Sequence, residues 1–127
     1  MENTSRTKAR KIAVEKLYSL EISGSIDYSE DDSFTQELIM GVITKKDEID
    51  EIISSSLFNY TINRLNLVDL QIIRIATFEL LENKVAKQVI INEAIELTKI
   101  YTNLDDDKAK AFNNKLLDNI AKNIASR

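Results

Sequence analysis

Apolar residues recur every three or four positions along almost the whole chain, which is the spacing that places them on one face of an α-helix. This spacing predicts a first helix over about residues 5–22, followed by a polar and acidic loop over residues 25–32. The later segments predict five more helices and one short helical turn at Ile62 and Leu65. The inward positions of the five helices are, in chain order, Phe34, Leu38 and Val42; Ile49, Ile52, Ile53, Ser56 and Leu57; Ile72, Ile73, Ala76 and Leu80; Ile91, Ala94, Ile95 and Leu97; and Phe112, Leu116, Ile120 and Ile124. The predicted fold class is therefore all-α, with about seven helices when the short ones are counted.

Residues that commonly cap helices lie where these helices are predicted to begin and end. Ser33 and Gln36 fit a capping box for the second helix, and Asn66 fits the N-cap of a later one. Gly24 follows the first helix, where a residue of positive φ is often needed. Gly41 lies inside the second helix, and its missing side chain predicts a close contact with another helix.

The composition closes the common routes to catalysis. The 127 residues fit one domain, and they include no Cys, His, Pro or Trp. Without Cys there is no disulfide framework, thiol catalysis or zinc ribbon, and without His there is no Ser-His-Asp triad or His-based metal site. No apolar run approaches the roughly 20 residues that cross a bilayer, and the N-terminus does not resemble a signal peptide. We expect a cytoplasmic protein with no membrane association.

The charge is distributed unevenly. The formal net charge is −4, yet residues 1–16 hold five basic and two acidic side chains. A local basic segment can attract phosphate even on an acidic protein, because salt screens exposed charges that lie farther apart than about 8–10 Å. The N-terminal segment is thus a candidate for contact with a nucleic acid.

The basic residues of the first helix surround its apolar stripe. Arg6 and Arg10, four residues apart, flank that stripe on one side, and Lys8 lies on the opposite side. Lys11 and Tyr18 belong to a second stripe that is rotated away from the apolar one. Two interpretations remain open: these residues contact RNA, with the Tyr18 ring stacked on an unpaired base, or the cations are solvated and Tyr18 is half-buried.

The carboxylates do not predict a metal or nucleotide site. Glu93 and Glu96 share one helical face, as in di-metal bundles, but the His ligands of such sites are missing. Asp105, Asp106 and Asp107 lack the spacing of a calcium loop and fit the N-terminus of the last helix better. No phosphate-binding glycine loop is present, and we predict no cofactor.

Several motifs in order along the chain resemble the NusB family of transcription antitermination factors. The matching segments are RTKARKIA at 6–13, LY at 17–18, residues 34–42, IDEII at 49–53, NY at 59–60, RLNLVD at 64–69, IRIA at 73–76, FEL at 78–80, VIINEAIEL at 89–97 and FNNKLLD at 112–118. Leu67 stands in place of a family proline, Asn113 in place of an apolar residue and Lys115 in place of a glycine. If the surface around Asn113 and Lys115 contacts RNA or a partner, these departures alter that contact.

The resemblance implies a double three-helix-bundle fold and a protein that is not an enzyme. It also implies binding to the boxA element of ribosomal RNA leader transcripts, together with the ribosomal protein NusE, in an RNA polymerase elongation complex with other Nus factors. Carried over by position, the RNA contacts are Arg6, Lys8 and Arg10, with Lys11 and Tyr18 added from the helical geometry. A further RNA or partner surface is implied at Phe112, Asn114 and Asp118.

Two alternatives remain. The chain is similar to the NusB-like domain of a ribosomal RNA cytosine methyltransferase, of which it would be a detached relative. It would otherwise be a helical adaptor that has lost RNA binding, against which the retained Arg6, Lys8 and Arg10 argue. A titration with boxA RNA, with and without NusE, separates these alternatives.

Overall fold

A computed structural model describes residues 2–101 and 107–127 of the chain. These residues form six α-helices, and Ile62–Arg64 form one turn of 3₁₀-helix. The α-helices are α1 (Glu2–Ser23), α2 (Ser33–Thr44), α3 (Lys46–Ser56), α4 (Leu67–Glu82), α5 (Lys87–Tyr101) and α6 (Asp107–Ala125). The all-α prediction with seven helical elements is confirmed for this part of the chain. Of the three aspartates assigned to the N-terminus of the last helix, Asp105 and Asp106 lie outside the described residues, and Asp107 begins α6.

Helix α4 is the centre of the fold. Every residue from Leu70 to Leu80 is buried, because α4 packs against all five other helices. Helices α1, α2 and α4 pack on one another, and so do α4, α5 and α6, while α3 packs on α2, α4 and α6. The double three-helix bundle is therefore built around a shared central helix, and a charged residue within α4 must find its partner inside the protein.

The N-terminus of α2 differs from the predicted capping box. Asp32, not Ser33, is the N-cap, and its Oδ1 accepts a hydrogen bond of 2.8 Å from the Thr35 backbone N–H. The Gln36 side chain donates instead to the backbone oxygen of Asp31, at 2.7 Å. A carboxylate at this position also interacts favourably with the helix dipole, which explains why Asp32 takes the cap. The predicted cap at Asn66 is confirmed, since its Oδ1 accepts from the backbone N–H of Val68 at 2.9 Å.

Gly41 and Phe78 fix how closely α2 approaches α4. A Cβ atom at Gly41 would overlap the ring of Phe78, which lies directly against the glycine. The prediction that Gly41 marks a close helix contact is confirmed. Gly24 directly follows the last residue of α1 with a φ of +87°, as the sequence predicts for a helix C-terminus.

Candidate nucleic-acid interface

The buried Arg10 fixes the basic end of α1 to the rest of the fold. Its Nε donates to Glu79 Oε2 at 2.7 Å, and a terminal nitrogen donates to Glu79 Oε1 at 2.8 Å. A second terminal nitrogen lies 3.4 Å from Glu93 Oε1, and Arg10 is only 4% exposed. Burial disfavours the charged form, but the bonds and charges of Glu79 and Glu93 outweigh it and raise the pKa of Arg10. Arg10 is thus a permanent cation that links α1 to α4 and α5.

This placement differs from the exposed position on which the prediction of an RNA contact at Arg10 depends, and that contact stays a prediction. The sequence pattern put Arg10 beside Arg6 on an exposed flank, whereas the structure buries its guanidinium between two carboxylates. A phosphate would have to displace those carboxylates from a guanidinium whose residue is only 4% exposed. Arg10 therefore links α1 to α4 and α5, and its neighbours Arg6 and Lys8 are the candidate RNA contacts that lie exposed.

Arg6 and Lys8 are the exposed cations at this end of α1. Neither forms an ion pair with any residue that the structure describes. The Arg6 guanidinium carbon lies 4.2 Å from the centre of the Phe34 ring, which holds it above α2 while its edges stay in solvent. Beside it is a cavity of about 310 Å³ that Phe34, Glu79 and Lys84 also line. The two side chains present positive charge from a fixed helix.

Lys11 is less available than Arg6 and Lys8. Its Nζ lies 2.8 Å from Glu15 Oε2 and 5.9 Å from the centre of the Tyr101 ring. The Tyr101 hydroxyl donates to the same Glu15 oxygen at 2.7 Å, and the hydrogen bond from Lys11 is the main cause of a lowered pKa at Glu15. The charge of Lys11 is thus locally balanced, and RNA binding there would compete with Glu15.

Tyr18 shares its helical stripe with a residue of the core. Val14, which shares its predicted stripe, is 1% exposed and belongs to the core, so that stripe is not separate from the apolar one. The reason is that α1 is covered on several sides, by α2 and α4 and by side chains of α5. Tyr18 itself is 37% exposed, which leaves part of its ring accessible and keeps both interpretations of this residue open.

The three residues predicted as a second surface do not lie together. The Phe112 ring packs on the Tyr60 ring with 5.2 Å between ring centres, and the guanidinium carbon of Arg64 lies 4.5 Å from the centre of Tyr60. Asn114 and Asp118 are exposed, but a turn of about 100° per residue places them away from Phe112 on α6. Phe112 therefore belongs to an aromatic cluster, and Asn114 and Asp118 belong to another face.

Asn113 is not a surface residue. It is 1% exposed, and its Nδ2 donates to Thr98 Oγ1 at 3.1 Å. It also hydrogen-bonds to Asp69, where burial raises the pKa of the carboxyl more than this bond lowers it. The expectation that Asn113 alters a binding surface is therefore corrected, because the amide joins α4, α5 and α6 internally.

Glu93 and Glu96, the pair that shares one helical face, both have structural partners. Glu93 accepts hydrogen bonds from Thr7 and Arg10, and Glu96 pairs with Lys99 at 3.0 Å. Within residues 2–101 and 107–127, no cluster of three acidic side chains is arranged to hold a metal ion. Over the same residues, no helix combines the length and apolarity needed to cross a membrane.

The sequence analysis missed the buried charges of α4. Besides Glu79, α4 carries Arg74, which forms two bonds of 2.9 Å to Asp50 and one of 2.7 Å to Glu21. Both lie inside an almost wholly apolar segment, and a charge in a helix that is buried all round requires an opposite charge from elsewhere. The sequence therefore indicates that Arg74 and Glu79 need buried partners, although it does not identify those partners.

Comparison with known proteins gives one consistent result. The model of the NusB family matches residues 7–122. The transcription antitermination protein NusB of Listeria innocua is 38% identical over 125 residues, covering 91% of this chain and 95% of that protein. The NusB protein of Bacillus pumilus is 34% identical over 129 residues, covering 94% and 96%.

Solved structures agree with the sequence relatives. T. maritima NusB superposes with a TM-score of 0.78 at 30% identity, covering 92% of this chain and 90% of that one. A structure of the antitermination factors NusB and NusE in complex with double-stranded RNA matches with a TM-score of 0.78 at 25% identity, covering 94% and 97%.

Proposed function

The chain belongs to the NusB family of transcription antitermination proteins, and from this premise we propose that it binds boxA RNA of ribosomal RNA transcripts together with NusE. NusB antitermination factors are not enzymes, so the function rests on binding alone. We further propose that residues 1–127 act as one RNA-binding domain that joins the RNA polymerase elongation complex with other Nus factors. Such a role places the protein in the cytoplasm.

The observation that carries the RNA-binding proposal is the pair of exposed cations on an immobilised helix. Arg6 and Lys8 have no carboxylate partner among the described residues, and the buried Arg10 holds the helix that carries them. Fixed cations contribute more to binding than flexible ones, because less side-chain entropy is lost when phosphate is bound. Lys11 and Tyr18 extend this surface along α1 as secondary contacts.

The proposal for NusE rests on a relative and on charge. A structural relative is found in a complex with NusE and double-stranded RNA. Outside residues 1–16 the chain carries a net charge of −7, and ribosomal proteins are typically basic. Opposite charges steer two proteins together and raise the rate of association.

The alternatives are less well supported. The curated relatives match over nearly their whole length and are antitermination proteins, which favours that role over a methyltransferase domain. An adaptor without RNA binding would have no need for two unpaired cations beside a buried anchor. An RNA titration tests the adaptor directly.

The test is a titration of labelled boxA RNA with the wild-type protein and with Arg6→Ala combined with Lys8→Ala, each with and without NusE. Each lost phosphate contact should reduce the slope of log K against log salt by about 0.7, so the double variant should lose about 1.4. Lys46→Gln combined with Lys99→Gln removes the same charge from exposed positions elsewhere and should keep the wild-type slope. Absence of boxA binding by the wild type, alone and with NusE, would overturn the proposal.

A further inference from the structure

A groove between α3 and α6 forms a second basic and aromatic surface, remote from Arg6 and Lys8. Its volume is about 640 Å³, within the range of roughly 300–1,000 Å³ that accommodates small organic ligands. Its lining includes Phe58, Lys115, Asn119, Lys122 and Asn123, and no acidic residue lines it.

The two lysines of the groove are free of carboxylates. Lys115 and Lys122 form no ion pair with any residue that the structure describes. They are seven residues apart on α6, which places them on one face with about 10 Å between their positions along the axis. In an acidic protein, two unpaired cations at one groove favour an anionic ligand.

Phe58 supplies a flat apolar surface beside these charges. Phe58 is 84% exposed, although exposing an aromatic ring to water is unfavourable in free energy. Two residues later, Tyr60 packs on Phe112, which precedes Lys115 by one turn of α6. A ring next to cations is the arrangement that holds single-stranded nucleic acid, by stacking a base and neutralising the adjoining phosphates.

The floor of the groove is held in place by hydrogen bonds. The Asn123 side chain donates to Ser55 Oγ at 2.9 Å and to Ser56 Oγ at 3.1 Å, and Asn119 donates to the backbone oxygen of Ser56 at 3.5 Å. These bonds join α6 to the end of α3 without using the lysines or Phe58. The surface is thus formed before any ligand binds, which lowers the entropy cost of binding.

We propose that this groove binds single-stranded RNA nucleotides that flank the boxA element, with a base stacked on Phe58 and phosphates held by Lys115 and Lys122. The proposal rests on the proposed function, since it extends the path of the same RNA. Helix α4 indicates the separation of the two surfaces: its Glu79 holds Arg10, while its Asp69 contacts Asn113 of α6. These two positions are ten residues, or about 15 Å, apart along the axis of α4, and the groove lies beyond Asn113 on α6, so an RNA that touches both surfaces has to extend past the first contact.

The experiment compares a short boxA RNA with boxA RNA carrying six unpaired nucleotides on each side. Wild-type protein should bind the longer RNA about tenfold more tightly, and Phe58→Ala should remove most of that gain. Lys115→Gln combined with Lys122→Gln should also remove it and reduce the salt slope by about 1.4 for the longer RNA only. Ile22→Ala, and Lys46→Gln combined with Lys99→Gln, are matched controls that should behave as wild type.

The outcomes separate this inference from the proposed function. If wild type binds both RNAs equally and the groove variants match it, the groove proposal is overturned while boxA binding stands. If the lysine variant loses affinity for NusE but not for RNA, the groove is a protein-docking surface and the proposal is likewise overturned. If the lysine variant shows only a lower melting temperature, the lysines stabilise helix ends, and the groove proposal is also overturned. If neither RNA binds wild type, the proposed function itself has failed.

Discussion

The Arg10 guanidinium and the Glu79 carboxylate form a two-bonded ion pair, at 2.7 and 2.8 Å, between the first helix and the central one. The two residues are 69 positions apart in sequence and are both buried. A basic residue of the N-terminal segment is thereby part of the core, and the stability of the fold depends on it.

Arg10→Met should strongly destabilise the protein, because it leaves the buried Glu79 carboxylate without its partner. The expected loss is about 3–5 kcal/mol in the free energy of unfolding, measured with urea. Arg6→Met changes an exposed residue of the same type and should alter stability by no more than about 0.5 kcal/mol. Combining Arg10→Met with Glu79→Leu should restore part of the loss. Equal effects at Arg6 and Arg10 would contradict the buried pair.

The RNA affinity of Arg10→Met separates positioning from contact. If Arg10 only holds α1, the folded fraction should bind boxA RNA more weakly but with an unchanged slope of log K against log salt. A slope reduced by about 0.7 would instead mean that Arg10 neutralises a phosphate in the complex. The comparison uses Arg6→Ala, for which the slope is expected to fall.

Gly41→Ala should destabilise the protein, although alanine is the better helix former. Overpacking against the Phe78 ring costs about 1–3 kcal/mol, against a gain of roughly 1 kcal/mol in helix propensity, so a net loss of up to about 2 kcal/mol is expected. Denaturant unfolding measures it. Phe78→Leu in the same chain removes the overlapping ring atoms, and the Gly41→Ala change should then cost less. A more stable Gly41→Ala protein would show that the ring moves away freely.

The helices could be predicted from the sequence because their signal is local. The period of apolar residues depends on neighbours three and four positions away, as does the cap at Asn66, and the structure confirms these elements. The burial of Arg10 depends on Glu79 and Glu93, which are far away in sequence, so no local pattern reveals it. The observed cap of α2 differs from the prediction by one residue because Asp32 and Ser33 are both good caps, and the interaction of a carboxylate with the helix dipole favours Asp32.

The candidate site was less predictable than the fold for the same reason. Arg6 and Lys8 are exposed as expected, but whether a cation is free depends on which carboxylates the tertiary structure brings near it, as Lys11 and Glu15 illustrate. The family motif groups Phe112, Asn114 and Asp118, whereas the helix turns Phe112 to a different face from the other two. The RNA roles of these residues stay predictions.

The free energy of unfolding of the Asp69→Asn protein should increase relative to that of wild type as the pH rises. Burial is the main cause of the raised pKa of Asp69 in the folded state, and the hydrogen bond from Asn113 opposes it only in part. The folded protein therefore holds this proton more firmly than the unfolded chain, and the stability that Asp69 contributes below its ordinary pKa is lost as the pH rises through the folded pKa. The amide of the variant does not titrate, so it escapes this loss.

Urea unfolding at about pH 3 and about pH 6 measures this effect, since those values bracket the ordinary pKa of an aspartate. The stability of Asp69→Asn minus that of wild type should be larger at the higher pH. Asp118→Asn, at an exposed position of α6, is the comparison and should show a smaller change. A difference for Asp69→Asn that shrinks with rising pH would contradict a raised pKa at Asp69.

Association with NusE should slow as salt concentration rises. The charge of −7 outside residues 1–16 attracts a basic partner over distances at which salt screens the interaction. Stopped-flow mixing at increasing sodium chloride measures the association rate constant, and the dissociation rate constant serves as an internal comparison that should change less. Association rates that are independent of salt would show that charge does not steer this complex.

Tyr18 provides the last prediction, because its partly exposed ring fits two roles that differ in measurable ways. If the ring stacks on a base, Tyr18→Ala should weaken boxA binding by about 1–3 kcal/mol while changing the melting temperature little. If it chiefly packs against the core, the same change should lower the melting temperature markedly, since losing a buried aromatic ring costs about 3–5 kcal/mol. Its 37% exposure leaves part of the ring accessible to a base, and we expect the first result.

Two further variants make the Tyr18 measurement decisive. Tyr18→Phe keeps the ring and should preserve both affinity and melting temperature, because no described residue hydrogen-bonds to the hydroxyl. Ile22→Ala removes another exposed apolar side chain one turn later on α1 and should leave RNA affinity unchanged. A large fall in melting temperature for Tyr18→Ala, with full RNA affinity in the folded fraction, would remove Tyr18 from the RNA site and leave Arg6 and Lys8 to carry it.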